Sequence, residues 1–324
     1  MKTALVLLAL CLAGASACSH VYTHQRGRQL SEGSACSYNH AQAGLDWPAQ
    51  DKECGWSCSG KSQSPINIPA KGKGTRNLPA SLKAKLNFGT ATNVRVLNIG
   101  HAVQVEFDSP KNNKASVVYF GDSIYTMYNS SSLNSRKAKR VNIEPLQFHF
   151  HATSEHLLSG RSTMLELHLV TKMVATPGVP MPKECRTADS MCLAVFGAMY
   201  NIRSDPTAKR GDPVMQRIID ALPKCEEAGK DCKRNVAGWK LPLKDLFPAN
   251  NDYFAYTGSL TTPPCSEGVM WHVFPQIRAE LSEAQAIALQ TALSTAVMNG
   301  EQEKNRLNNR VTLPWNDRTV FYSA

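Results

Sequence analysis

No stretch of this 324-residue chain is apolar for the roughly 20 residues that a membrane-spanning helix needs; the longest such run, Ala4 to Ala13, has ten. The mature protein is therefore expected to have no stable membrane insertion. Cys-x-x-Cys pairs are absent, which removes a common signature of structural zinc and of thiol redox sites. There is no basic stripe interleaved with aromatics. The net charge of +10 has one dense run, Arg136 to Arg140, which reads as a solvated loop, so nucleic acid is not an expected partner. Internal repeats and a linker dividing the chain are missing as well, which favours one domain. With 42% hydrophobic residues, disorder is excluded for the chain as a whole.

Cysteine, by contrast, is plentiful, at ten residues. Lys2, the apolar run and Ala15-Ser16-Ala17 follow the order of a secretory signal peptide, residues 1–17, cleaved after Ala17. The expected location is secreted, in an extracellular or periplasmic space. Disulfides persist there, so the nine cysteines beyond Cys11 are read first as bridges. Cys185 with Cys192 and Cys225 with Cys232 are local candidates. Nine is odd, and Cys18, in a polar segment, is the candidate for a disulfide-linked dimer. Asn129-Ser130-Ser131 is an N-glycosylation acceptor.

Residues 18–37 are polar, lack periodicity and read as a flexible lead-in. From Val94 the chain becomes a series of short β-type runs: Val94 to Leu97, Ala102 to Phe107, Ser116 to Phe120, Leu146 to His151, Met164 to Val170 and Leu193 to Tyr200. Helices are expected over Val214 to Leu222 and Ser282 to Met298, the second stopping at Asn299-Gly300. Segments near 175–192 and 203–237, rich in Pro, Gly, Lys and Asp, read as surface insertions.

Leu146 to His151 alternates strictly, so on a strand Gln147, His149 and His151 share one face. Met164 to Val170 does the same with Glu166, His168 and Val170. The two runs flank Ser159-Gly160, and an antiparallel pairing centred there would set His151 directly opposite His168, with His149 two residues along the same face. Three neutral imidazoles on a rigid sheet suit a zinc site that keeps its fourth position for water. Gln147 and Glu166 could accept the free ring N–H of a liganding histidine and fix its tautomer.

These residues strongly resemble the α-class carbonic anhydrases. The resemblance runs from Tyr38 to Val320 through Gln63-Ser64-Pro65-Ile66-Asn67-Ile68, Gly100-His101-Ala102, Phe148-His149-Phe150-His151 with Ser154-Glu155-His156, Glu166 to Val170, and Gly258 to Pro264. It implies a mixed, mainly β single domain, residues 38–324, with a central twisted, largely antiparallel β-sheet, peripheral short helices and a conical zinc cleft. It also implies an enzyme that reversibly hydrates carbon dioxide to bicarbonate and a proton, by attack of zinc-bound hydroxide, with one zinc ion per chain.

Matched residue by residue, His149, His151 and His168 are the implied ligands. Thr261 and Glu155 are the implied orienting pair and His101 the implied proton shuttle. Val170, Val195, Leu260, Thr262, Val269 and Trp271 are the implied substrate pocket. His156 and Tyr256 are read as structural partners, and His272 as facing away from the metal. Cys58 and Cys265 stand where secreted members are bridged, which leaves Cys36 and Cys54 as a further pair. Pro65 and Pro264 resemble prolines that are often cis. Ile99 and Gln104 depart from the family's frequent asparagines near the proton path. A catalytically silent relative acting as a binding protein is the alternative, but it would be expected to lack a zinc ligand, and none is missing.

Overall fold

The computed structural model describes residues 36–124, 138–186, 192–204, 211–225, 232–294, 297–298, 301–302 and 307–323. Asn129, Cys18 and the leader lie outside them. One large mixed sheet dominates. Its main path runs, edge to edge, through Lys233–Asn235, Thr90–Asn98, Val103–Asp108, Ala138–His151, Leu165–Val174, Leu193–Ile202, Glu267–Leu281, Phe254–Ser259, Val320–Ser323 and Thr75–Leu78. Neighbours pair antiparallel except at two places, Leu193–Ile202 with Glu267–Leu281 and Val320–Ser323 with Thr75–Leu78.

Alternation explains the layering. From the central strands, Phe148, Phe150, Leu165, Leu167, Leu169, Ala194, Phe196 and Ala198 enter one large apolar core. The opposite face carries the histidines and a smaller apolar cluster that includes Val170, Val195, Leu260, Val269 and Trp271. A fully buried Phe or Leu stabilises the fold by about 1.5–3 kcal/mol, so the large core holds the sheet while its other face is left for polar groups.

The Ser282–Met298 helix is shorter than expected. Ser282 caps it, its Oγ accepting from Gln285 N at 3.3 Å, but the helix spans Glu283–Ser294, and Val297–Met298 pairs antiparallel with Glu301–Gln302. Asn-Gly is as strong a hairpin signal as a helix stop. Within the 203–237 segment the helix expected over Val214 to Leu222 is present, two residues shorter at its end. Pro213–Asp220 is a helix that buries Met215 and Ile218 in the large core, and Lys233–Asn235 forms an edge strand of the sheet. Four disulfides link Cys36 to Cys54, Cys58 to Cys265, Cys185 to Cys192, and Cys225 to Cys232. The first ties down the end of the lead-in. Ser64-Pro65 and Pro263-Pro264 are cis.

Candidate metal centre

His149 and His168 lie on neighbouring strands and are direct register partners, while His151 stands opposite Glu166. The expected opposition of His151 and His168 is therefore displaced by two residues. Ser159-Gly160 does make the tight turn, with Leu158 and Arg161 bonding each other, but Ser154 N bonds Thr163 O, so the Ser154-to-Leu158 arm is two residues longer than the Arg161-to-Thr163 arm. An even displacement keeps every side chain on its face, and the three imidazoles still converge, with ring centroids 4.5–5.4 Å apart. The two extra residues have their own use. They swing Glu155 and His156 inward, and the backbone N–H groups of both donate to Glu166 Oε2 at 2.9 and 2.8 Å.

Each imidazole has one nitrogen anchored. His149 Nδ1 bonds Gln147 Oε1 at 3.0 Å, His151 Nδ1 bonds the Asn308 carbonyl at 2.8 Å, and His168 Nε2 bonds Glu166 Oε1 at 2.9 Å. Nε2 of His149, Nε2 of His151 and Nδ1 of His168 are thereby left to face one another, and the three residues offer ligand atoms within 4.8 Å of each other. His151 Nε2 and Glu155 Oε2 are buried without hydrogen-bond partners among the described residues. Two orphaned polar atoms beside three convergent nitrogens fit a bound cation, and an all-imidazole donor set suits zinc.

Burial holds His149 well below the usual imidazole pKa, lowers His168, and brings His151 down to about 4. All three are neutral at pH 7, the form that ligates a metal. Burial likewise pushes the Glu155 carboxyl up to about 7, with His168, the Thr261 hydroxyl and the Arg310 N–H pulling it back down. Arg310 N donates to Glu155 Oε1 at 2.9 Å, and Glu155 Oε2 lies 3.5 Å from His151 Nε2 and 3.8 Å from His168 Nδ1. A divalent cation among these atoms would favour the ionised carboxylate.

A model of eukaryotic-type carbonic anhydrase matches residues 43–324. The chain belongs to the carbonic anhydrase family. A carbonic anhydrase of Dunaliella salina is 29% identical over 321 residues, covering 94% of this chain and 46% of that protein. One from Nostoc sp. is 33% identical over 168 residues, covering 47% of this chain and 54% of the relative. The chain thus spans about half the length of these two curated relatives. Among solved structures, a halotolerant carbonic anhydrase from Dunaliella salina superposes with a TM-score of 0.63 at 25% identity, covering 89% of this chain and 98% of that one.

Trp271, another residue of the carbonic anhydrase pattern, packs edge-on against His168 with ring centroids 4.8 Å apart. Val170, Val195 and Trp271 follow one another across three adjacent strands in register, and with Leu260 and Val269 they share one apolar cluster. Thr261 is buried and Thr262 half-buried in the loop before Cys265, which the Cys58 disulfide and a Ser57 N to Pro264 O bond at 2.9 Å fasten to the N-terminal segment. His101 is half-buried in the turn after Asn98, its ring 5.5 Å from that of Tyr38. Gln104 is the register partner of His149 and donates to Glu106 at 3.0 Å. His272 lies on the other face, stacked on Phe196 at 4.6 Å.

Behind His168 a polar chain continues through Glu166 Oε1 to His156 Nδ1 (2.7 Å), His156 Nε2 to Tyr256 Oη (2.6 Å), and Tyr256 Oη to Ser64 Oγ (2.9 Å). Burial acts against the charged Glu166, but the imidazoles of His156 and His168 hold it well below the ordinary carboxylate range.

Three residues near the site carry roles that the sequence does not signal. Asn308 supplies the anchor of His151 from 157 residues away, a distance at which no local pattern marks a contact. Gly197 is the register partner of His168, and a Cβ there would lie 2.8 Å from Glu166 Oε1. His40 is buried against Tyr38 and Trp47, where burial, and then His101 and His151, keep it neutral.

Proposed function

We propose that this protein is a zinc enzyme that reversibly hydrates carbon dioxide to bicarbonate and a proton. The observation that carries the reading is the set of three imidazoles with their outer nitrogens anchored and their inner nitrogens converging beside the buried Glu155 carboxylate. When bound by His149, His151 and His168, zinc supplies a Lewis acid that brings the pKa of a water near 7, a chemistry for which carbonic anhydrase is itself the standard example.

The chain's own groups do the rest. Gln147, the Asn308 carbonyl and Glu166 fix the tautomers, so the ligating nitrogens need no rearrangement. The Thr261 hydroxyl donates its proton to Glu155, which leaves Oγ1 able only to accept from a group at the metal and so to orient it. The Thr261 N–H is placed to receive developing negative charge on the substrate. Val170, Val195, Leu260, Val269 and Trp271, with Thr262 at the margin, give a small apolar molecule a place beside the metal. An imidazole nitrogen of His101 takes up the released proton and passes it to buffer, acid–base work for which histidine is the usual side chain. One domain over 38–324 carries all of these residues.

We also read the protein as secreted. Its four disulfides favour an oxidising compartment, and no helix among the described residues is long and apolar enough to cross a membrane. Glycosylation at Asn129 and a dimer linked through Cys18 belong to the same reading; non-reducing gels of wild type and Cys18→Ser test the latter.

Rapid-mixing carbon dioxide hydration tests the activity, before and after zinc removal, with His149→Ala as control. Acceleration lost with the metal and restored by zinc in wild type alone is expected. No zinc-dependent acceleration would overturn the enzyme reading and favour a silent binding protein.

A further inference from the structure

Asn308 is buried where the strand bearing His149 and His151 meets the turn bearing His101, and every hydrogen-bonding atom of its side chain is used. Oδ1 accepts from Ala152 N at 2.8 Å, and Nδ2 donates to His101 O at 2.8 Å and to Phe150 O at 2.9 Å. Its backbone joins in, with the carbonyl accepting from His151 Nδ1 at 2.8 Å and the N–H donating to Ala152 O at 3.3 Å. One residue thus grips the chain on both sides of a metal ligand and reaches the backbone of the turn that holds His101.

That turn has a limited framework of its own. It joins Thr90–Asn98 to Val103–Asp108 through Ile99 N to Ala102 O at 3.0 Å, Gly100 N to Asn98 Oδ1 at 3.0 Å, and a left-handed Gly100 with φ 93°. These bonds shape the turn, and its outgoing strand already pairs Gln104 with His149 on the metal-bearing strand; the Asn308 side chain adds a further tie at His101 itself, next to the His151 end of that strand. The Asn308 amide makes that tie with the right chemistry, because its two N–H groups meet two carbonyl oxygens, where an aspartate would set oxygen against oxygen.

We propose that Asn308 is a positioning residue for proton release, its side-chain amide fixing the His101 turn to the metal-bearing strand and so setting the span a proton must cross. The proposal rests on the reading of His101 as proton acceptor. Proton relay needs hydrogen-bond geometry, and misplacement of a participating group by 1 Å can cost about 100-fold in rate. The amide's contribution should therefore be felt in turnover limited by proton release more than in the hydration step itself.

The test compares wild type, Asn308→Ala, the milder Asn308→Ser and His101→Ala, with each Asn308 variant also placed in the His101→Ala background. Measurements are kcat at low and high imidazole buffer, kcat/KM, zinc content by chelator titration, and amide hydrogen exchange over residues 99–102. The Asn308 variants are expected to lower low-buffer kcat about 3–10-fold, well beyond any fall in kcat/KM. Imidazole should rescue the loss, exchange in the turn should speed up, and little should be added to the His101→Ala defect. Equal falls in kcat and kcat/KM, an additive loss in the His101→Ala background, or a zinc deficit matching the lost activity would each overturn the proposal. If Asn308→Ala does not fold, Asn308→Ser carries the comparison. A silent His101→Ala removes the shuttle reading and this proposal with it. A slow His101→Ala beside an Asn308→Ser that matches wild type removes the positioning role alone.

Discussion

Substituting Gly197 by alanine places one methyl group against the carboxylate that steers two imidazoles. Gly197 stands between His168 and Val273 in register, and its added Cβ would lie 2.8 Å from Glu166 Oε1 but 3.7 Å from the Val273 methyls. The valine side is ordinary contact, so relief must come from the carboxylate. Oε1 accepts from His156 Nδ1 at 2.7 Å and from His168 Nε2 at 2.9 Å, and any retreat lengthens both. Hydrogen bonds to a charged group contribute about 1.5–3 kcal/mol each. Partial loss of two, offset by about 0.4–1 kcal/mol from the stiffer unfolded chain, predicts a net destabilisation of about 1–3 kcal/mol.

Because Glu166 also sets the tautomer of His168, zinc affinity should fall about 10–100-fold. Chelator competition reads the affinity, and urea unfolding of the metal-free and zinc-loaded forms reads the stability. Glu166→Gln combined with Gly197→Ala should lose less than the two variants separately, since both act on one acceptor. Zinc affinity within twofold of wild type, with an unchanged unfolding midpoint, would show that the carboxylate moves freely and would refute the crowding argument.

Removing the Cys58–Cys265 bridge with a double alanine variant opens a loop closed over 207 positions, worth at most about 5 kcal/mol in the chain-entropy account. A fall in melting temperature on the order of 10 °C is expected by calorimetry, and a fall below about 2 °C would argue against it. His272 gives a pH prediction. Burial lowers its pKa to about 3 in the folded protein against about 6.5 unfolded. Both states are neutral above pH 6.5, and below it only the unfolded chain takes up the proton, so stability falls with pH at about 1.4 kcal/mol per unit down to about pH 3. Urea midpoints of the metal-free protein should decline less steeply between pH 6 and 4 in His272→Phe; identical slopes would exclude His272 as a source of acid sensitivity.

Much of the site was legible in local alternation. The faces of Leu146 to His151 and Met164 to Val170 follow from the pleat alone, and they survive the two-residue displacement because side chains repeat every second residue. The displacement itself was not legible, since nothing between Ser154 and Leu158 marks the arm as longer. The roles of Glu155 and Thr261 came from resemblance, because the contacts that place them span the chain: Arg310 N reaches Glu155 across 155 residues. The central strands show in their branched and aromatic residues, whereas Phe254–Ser259, with Thr257 and Gly258 at its centre, carries less of that signal. Pro213–Asp220 shows how a polar segment can still seal a core with two residues, Met215 and Ile218.

The central sheet also acts as a partition. Phe148, Phe150, Leu167 and Leu169 lie behind the same backbone whose other side carries His149, His151 and His168. The rear layer can therefore be repacked for heat tolerance, or the apolar wall around Val170 and Val195 reshaped, with one thickness of peptide separating the two campaigns. Gly197 lies on the histidine side of that partition, where even a methyl group would meet the carboxylate that holds His168.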